Sequence, residues 1–324
     1  MYDPMSSKRT AVELQEFHED SLASRVSEAI AQIQSELGMR APVLAEQVYE
    51  WMGRIAGGNP PASRLAHPDM FPFLLLPGWF AESVQAPFEL PFHADLLYSS
   101  VNGYYHVRLV DDVMDRSHCA APELLPAIGF FHARFQFAYQ RYFHTTHPFW
   151  DAFFEHWVSS SEAALRDARS RVIDLEHFLR VSARKVCAAK IPLTAVCYKL
   201  GRPDLLAPWL QLCDTFGRCV QMWDDLADWS EDLASGNASY LISEGARCKR
   251  ADETLVGWLL REGIAWGTEL LQTWIEQLAS EAQQLGSAGL VRFVDSRRAR
   301  IQKWKADNVQ AVRACRRLAA AFDR

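Results

Sequence analysis

The sequence predicts an all-α protein, a single-domain bundle of roughly ten or more helices over residues 1–324. Three observations carry this expectation. Apolar residues recur at helical spacing in one segment after another. No sustained two-residue alternation between hairpin turns marks a strand. The breaks are short and rich in Pro, Gly, Ser or Asn, as in GGNPPASR, GRPD and ASGNAS.

Taken in order, residues 1–20 are expected to form a flexible N-terminal segment, and they lack the apolar core of a secretory leader. VSEAIAQIQSELG has helical spacing, with Gly38 expected as its C-cap. VLAEQVYEWMGRIAGG is expected to stop at Gly57-Gly58. MFPFLLLPGWF is the most apolar stretch, but Pro72 and Pro77 break it, so it reads as a buried segment or pocket wall. YYHVRLVDDVMDRSH is an apolar helix that ends on three acids. PELLPAIGFFHARFQFAYQRYF, PFWDAFFEHWVSSSEAALRDA, LEHFLRVSARKVCAAKIPLTAVCYKLG and LLAPWLQLCDTFGRCVQMWDDLADWSEDL each read as one helix. So do ETLVGWLLREGIAWGTELLQTWIEQLASEAQQLG and LVRFVDSRRARIQKWKADNVQAVRACRRLAAAF.

Composition narrows the function. A formal net charge of −6 argues against a general nucleic-acid binder. No apolar run reaches the roughly 18–20 residues of a membrane span, so no integral membrane segment is expected. The seven Cys show no paired metal-type spacing and read as reduced thiols of a cytoplasmic protein. Cys187, Cys197, Cys213 and Cys219 fall on apolar helices, where buried thiols are common. The eleven Trp and eighteen Phe suit a packed core, and equally a pocket for an apolar ligand. His144 and His147 fall between helices and are not expected to bind metal. G-x-S-x-G, P-loop and G-x-G-x-x-G patterns are absent.

The acids carry the chemistry. Asp111, Asp112 and Asp115 form one D-D-x-x-D, and Asp224, Asp225 and Asp228 form a second, extended by Glu231 and Asp232. Residues i and i+4 share a helix face, so these like charges oppose their own helices by a few tenths of a kcal/mol per pair. A bound cation removes that repulsion. Mg²⁺ takes oxygen ligands octahedrally and fills its shell with water and substrate phosphates. Carboxylates from two helices, bridged by Mg²⁺ to a diphosphate, would satisfy that chemistry.

At this point the residues resemble a family, the class I isoprenoid synthases, which include trans-prenyltransferases, terpene cyclases and the squalene/phytoene synthase branch. LVDDVMD is similar to their first aspartate-rich motif. GRCVQMWDDLADWSED is similar to the second motif of trans-prenyltransferases, with Gly217, Gln221, Asp224, Asp225, Asp228 and Asp232 at matching places. Asp228, Glu231 and Asp232 also fit the D-x-x-E-D of the squalene/phytoene branch, and LASGNASYLI resembles the loop that follows. The resemblance runs over residues 40–245.

The resemblance implies an isoprenoid-synthase-like bundle with a deep central cavity and the acids at its mouth. It implies about three Mg²⁺ ions, with Mn²⁺ as a substitute. Their ligands would come from Asp111, Asp112, Asp115, Asp224, Asp225, Asp228 and Asp232. Diphosphate contacts would come from Arg108, Arg116, Lys185, Lys190 and Gln221, although Thr194 adjoins neither Lys as the family pattern asks. Arg218 lies within a turn of the second motif and is a weaker candidate. The basic C-terminal run reads as a solvated face, or as a lid using Arg298, Lys303 or Lys305. A homodimer is a further implication.

The implied substrate is an allylic isoprenyl diphosphate. Chain-elongating members carry a Lys upstream of the first motif and an Arg-Arg after it. Here Asn59 stands in the Lys place with Arg64 nearby, and Arg116 is single. That erosion of a second anion site favours a terpene cyclase. The all-acidic second motif is nearer to a prenyltransferase, whether chain-elongating, head-to-head or using another acceptor. A non-catalytic partner subunit is the third alternative.

Overall fold

The computed structural model describes residues 22–67, 70–86, 89–114 and 122–322. Among them every regular element is helical. In chain order the α-helices are α1 (Leu22–Arg40), α2 (Pro42–Ile55), α3 (Pro61–Leu65), α4 (Leu76–Ser83), α5 (Leu90–Met114), α6 (Leu125–Phe137) and α7 (Phe149–Arg169). There follow α8 (Leu175–Lys185), α9 (Cys187–Lys199), α10 (Leu206–Ser235), α11 (Tyr240–Cys248), α12 (Leu255–Trp258), α13 (Ile264–Leu285) and α14 (Ala288–Phe322). None of the described helices is long and apolar enough to cross a membrane.

The chain forms two compact units. One holds residues up to Phe154 together with Ala189–Pro203, and the other holds Glu155–Ala188 and everything from Asp204 onward. In the first unit α5 packs on α6, α1 on α2, α3 and α5. Its core centres on Trp51, Tyr105 and Phe131, each buried, with ring centroids 5.6–6.2 Å apart. MFPFLLLPGWF is buried as expected: it supplies α4, with Pro77 in the first turn and Leu76, Trp79 and Phe80 enclosed.

The second unit is built on the 30-residue helix α10, which packs against α8, α11 and α13. Phe178 of α8 stacks on Trp274 of α13 with centroids 5.4 Å apart. Helix α10 ends on Gly236 at φ 73°, a left-handed conformation that glycine adopts without a Cβ clash.

The structure departs from the expected helix limits at several points. Helix α1 runs past Gly38, which does not cap it. A Cβ on Gly38 would lie 3.3 Å from the Tyr49 hydroxyl, and that hydroxyl donates to the Gln34 carbonyl. The glycine is there to admit the tyrosine of α2. The run LEHFLRVSARKVCAAKIPLTAVCYKLG divides at Val186 into α8 and α9. Pro192 has no N–H for the carbonyl of Ala188 and its ring presses on it, which works against an unbroken helix through this point. The run from Glu253 to Gly286 contains a π-turn at Leu259–Gly263 between α12 and α13. The indole of Trp258 fills the space there, and a Cβ on Gly263 would meet it at 2.4 Å. Helix α11 carries no long apolar run, and starts on Ser239, whose hydroxyl accepts from the Ile242 N–H.

Candidate active site

Asp111 and Asp112 of the first acidic motif lie in the last turn of α5. Asp112 is 2% exposed. Its Oδ2 accepts from the Trp51 indole Nε1–H at 2.9 Å, and its Oδ1 pairs with the Arg108 guanidinium at 2.9 Å. A carboxylate survives burial only with such partners. Asp111 sits beside it and keeps partial contact with solvent. Asp115 and Arg116 lie outside the described residues. Arg108, expected at diphosphate, is here the partner of Asp112, with its side chain 41% exposed.

Trp51 was not among the expected site residues. Its indole is fully enclosed, packed on Tyr105 and Phe131, so the N–H points reliably at Asp112. Trp51→Phe keeps most of the packing and removes the donor. It is expected to lower stability by about 2 kcal/mol, the worth of a hydrogen bond to a buried charge. A urea unfolding midpoint unchanged from wild type would show that the contact contributes nothing.

The second motif lies on α10. Asp225 is 3% exposed and accepts from three donors inside its own unit. Oδ1 accepts from Gln221 Nε2 at 3.2 Å. Oδ2 accepts the backbone N–H of Tyr240 at 2.9 Å and of Leu241 at 3.2 Å. Those are the first donors of α11, which have no intrahelical acceptor, and a negative group there also meets the positive end of the helix dipole. Burial pushes the Asp225 carboxyl up to about 6, against the opposing hydrogen bonds from Gln221, Leu241 and Tyr240.

Asp224 and Asp228 reach solvent. Burial, followed by the like charges of Asp228 and Asp225, pushes Asp224 up to about 7, with Lys185 and Arg297 opposing. Burial raises Asp232 as well, with Asp228 and Glu231 adding to it.

Each D-D-x-x-D is thus divided in the same way. Its second acid is buried and saturated by internal donors, and its first stays accessible. The accessible acids present hard oxygen donors, and at Asp224 the like charges of Asp228 and Asp225 add to the rise. Among the described residues no three His, Cys, Asp or Glu side chains close around one point. That set suits Mg²⁺, which takes one or two carboxylates and completes its shell with water and phosphate oxygens.

The expected basic residues are dispersed. Lys185, the last residue of α8, contacts the Asp167 carboxylate and donates to Gln221 Oε1 at 3.2 Å. Lys190 belongs to the first unit and is 5% exposed, its carbonyl accepting from Thr194 Oγ1 at 2.9 Å. On α14, Arg298 pairs with Glu276 at 2.7 Å and Lys305 donates to Gln272 at 2.8 Å. Both partners are on α13, which favours a packed helix with a solvated face over a lid. Cys187, Cys197, Cys213 and Cys219 are buried and outside any disulfide, as expected.

In sequence, no protein-family model and no curated protein matches the chain. Solved structures do match. A geranylgeranyl pyrophosphate synthetase from the archaeon Geoglobus acetivorans superposes with TM-score 0.61 at 13% identity, over 86% of this chain and 99% of that one. A decaprenyl diphosphate synthase from Rhodobacter capsulatus gives TM-score 0.66 at 15% identity, over 87% and 96%. A heptaprenyl diphosphate synthase from Staphylococcus aureus gives 0.59 at 12%, over 87% and 98%. The chain has the prenyl-synthase fold. Asp111 and Asp112 of this chain lie on α5 and its second motif lies on α10, and the matches cover 96–99% of the neighbours' chains.

Proposed function

We propose that the chain is a Mg²⁺-dependent prenyltransferase acting on an allylic isoprenyl diphosphate. The observation that carries this reading is the matched pair of D-D-x-x-D motifs, each with one buried anchor acid and an accessible first acid, on a prenyl-synthase fold. The terpene cyclase, first choice from sequence, becomes the second reading, because the solved structures named above are all synthases of prenyl diphosphates. Asn59 and the single Arg116 still favour the cyclase, and Arg64 is engaged, donating to the Tyr104 hydroxyl at 3.3 Å.

In this reading Asp111, Asp224 and Asp228, with Asp115 and Asp232, hold Mg²⁺. When bound, Mg²⁺ neutralises the charge that develops on the departing diphosphate. Asp112 and Asp225 set the two helix segments in place without themselves meeting the metal. Lys185 adds positive charge beside the second motif. Apolar and aromatic side chains keep water from the allylic cation and stabilise it through their ring faces, about 0.5–2 kcal/mol per favourable ring.

The test is incubation with Mg²⁺ and geranyl, farnesyl or geranylgeranyl diphosphate, each with and without isopentenyl diphosphate. Released diphosphate and extractable products are followed together, with Asp111→Ala and Asp224→Ala as controls. A longer prenyl diphosphate formed only with isopentenyl diphosphate is the expected result. A hydrocarbon or alcohol from one substrate alone would establish the cyclase instead. Silence with every substrate, and no Mg²⁺-dependent diphosphate binding, would remove both readings.

A further inference from the structure

We propose that Asp167 is a positioning residue for the second acidic motif: through Lys185 it fixes the amide of Gln221, and so the carboxylate of Asp225. The inference deepens the proposed reaction and rests on that reading for its functional consequence.

A chain of contacts runs inside the second unit. Asp167 stands in the last turn of α7 and Lys185 at the end of α8. Lys185 is held twice. Its carbonyl accepts from Ser160 Oγ of α7 at 3.0 Å, and its ammonium contacts the Asp167 carboxylate. The same ammonium donates to Gln221 Oε1 at 3.2 Å, and Gln221 Nε2 donates to Asp225 Oδ1 at 3.2 Å. Asp225 then takes the Tyr240 and Leu241 N–H groups.

Polarity runs one way along this chain. An ammonium can only donate and a carboxylate can only accept, whereas an amide does both. Lys185 therefore fixes Oε1 of Gln221 on its own side, and Nε2 must face Asp225. Reversing the amide would set an NH₂ group against an ammonium and an oxygen against a carboxylate. Lys185 enforces this orientation only while it stays where Asp167 holds it. Asp224 already feels the Lys185 charge and can compete for it. Without Asp167 the ammonium is drawn to Asp224, one of the proposed Mg²⁺ ligands, and the Gln221 amide loses its orienting partner. Asp167 is part of neither motif and was not a candidate from sequence.

The experiment titrates Mg²⁺ against inorganic pyrophosphate binding by calorimetry, using the full chain and the variants Asp167→Asn, Asp167→Glu, Lys185→Met and the Asp167→Asn/Lys185→Met double. Asp167→Asn is expected to need about tenfold more Mg²⁺, the effect of releasing one charge-assisted contact. Asp167→Glu should restore the wild-type requirement. In the Lys185→Met background Asp167→Asn should change nothing further, because the residues act as one unit. A loss of equal size in that background, or no loss in Asp167→Asn alone, would overturn the proposal. The side-chain amide signals of ¹⁵N-labelled Gln221 give a readout that needs no ligand. They should shift in Asp167→Asn and return in Asp167→Glu. If wild type binds no pyrophosphate with Mg²⁺, the diphosphate reading fails by itself, and the Gln221 signals decide the positioning role alone.

Discussion

Asp225→Ala is expected to lower the unfolding free energy by about 3 kcal/mol, without any reference to catalysis. The substitution strips the acceptor from two backbone donors at the start of α11 and from Gln221 Nε2. Each buried donor left without a partner costs roughly 1–3 kcal/mol. Part of this is offset, because a carboxylate pushed up to about 6 by burial is itself under strain from desolvation. Asp225→Asn should fall between the variant and wild type. It keeps one acceptor for the α11 donors, but its amide NH₂ then faces Gln221 Nε2. Asp224→Asn should behave in the opposite way. It removes a like charge from an accessible position, so stability stays within a few tenths of a kcal/mol of wild type. Mg²⁺-dependent turnover should nevertheless fall by about a thousandfold. Urea midpoints at constant slope separate the two acids. Equal stability losses for Asp224→Asn and Asp225→Ala would remove the division of labour within the motif.

That division was partly legible in the sequence. On α5, Val101, Tyr105 and Leu109 form the buried stripe, and Asp112 is three residues beyond Leu109 on the same side. On α10, Met222 and Leu226 are buried, and Asp225 lies three residues beyond Met222 on the same side. The helical period thus already placed the second acid of each motif inward. The long helices α10, α13 and α14 were legible because their apolar period persists over many turns. Trp51 was not legible as the partner of Asp112. It lies 61 residues away in sequence, and its pattern is that of any core tryptophan. The break at Val186 was hidden because the apolar period continues through it. Asp167 could not be found at all, since only its contact with Lys185 at the end of α8 gives it a role.

Gly217→Ala should be a damaging methyl in the second unit, because it meets backbone. A Cβ at this position would lie 2.5 Å from the Ser182 carbonyl oxygen and 3.0 Å from Val186 Cγ2. The first of these is backbone, so no rotamer change relieves it, and α8 and α10 must separate. Alanine contributes about 1 kcal/mol of helix propensity over glycine. The overpacking exceeds that gain, and a net loss of about 2 kcal/mol is expected. The consequence for the site is larger than the loss of stability. Gly217, Gln221 and Asp225 follow one another at intervals of four along a single face of α10, and Ser182, Lys185 and Val186 face them from the end of α8. The Lys185–Gln221 hydrogen bond, already 3.2 Å, is the contact a separation would open first. Gly217→Ala should therefore raise the Mg²⁺ requirement for pyrophosphate binding in the same direction as Asp167→Asn, while Gly129→Ala, at a position where a Cβ meets nothing within 4 Å, should leave it unchanged. A Gly217→Ala protein with wild-type stability and wild-type Mg²⁺ dependence would mean that the close approach of α8 and α10 does not set the second motif.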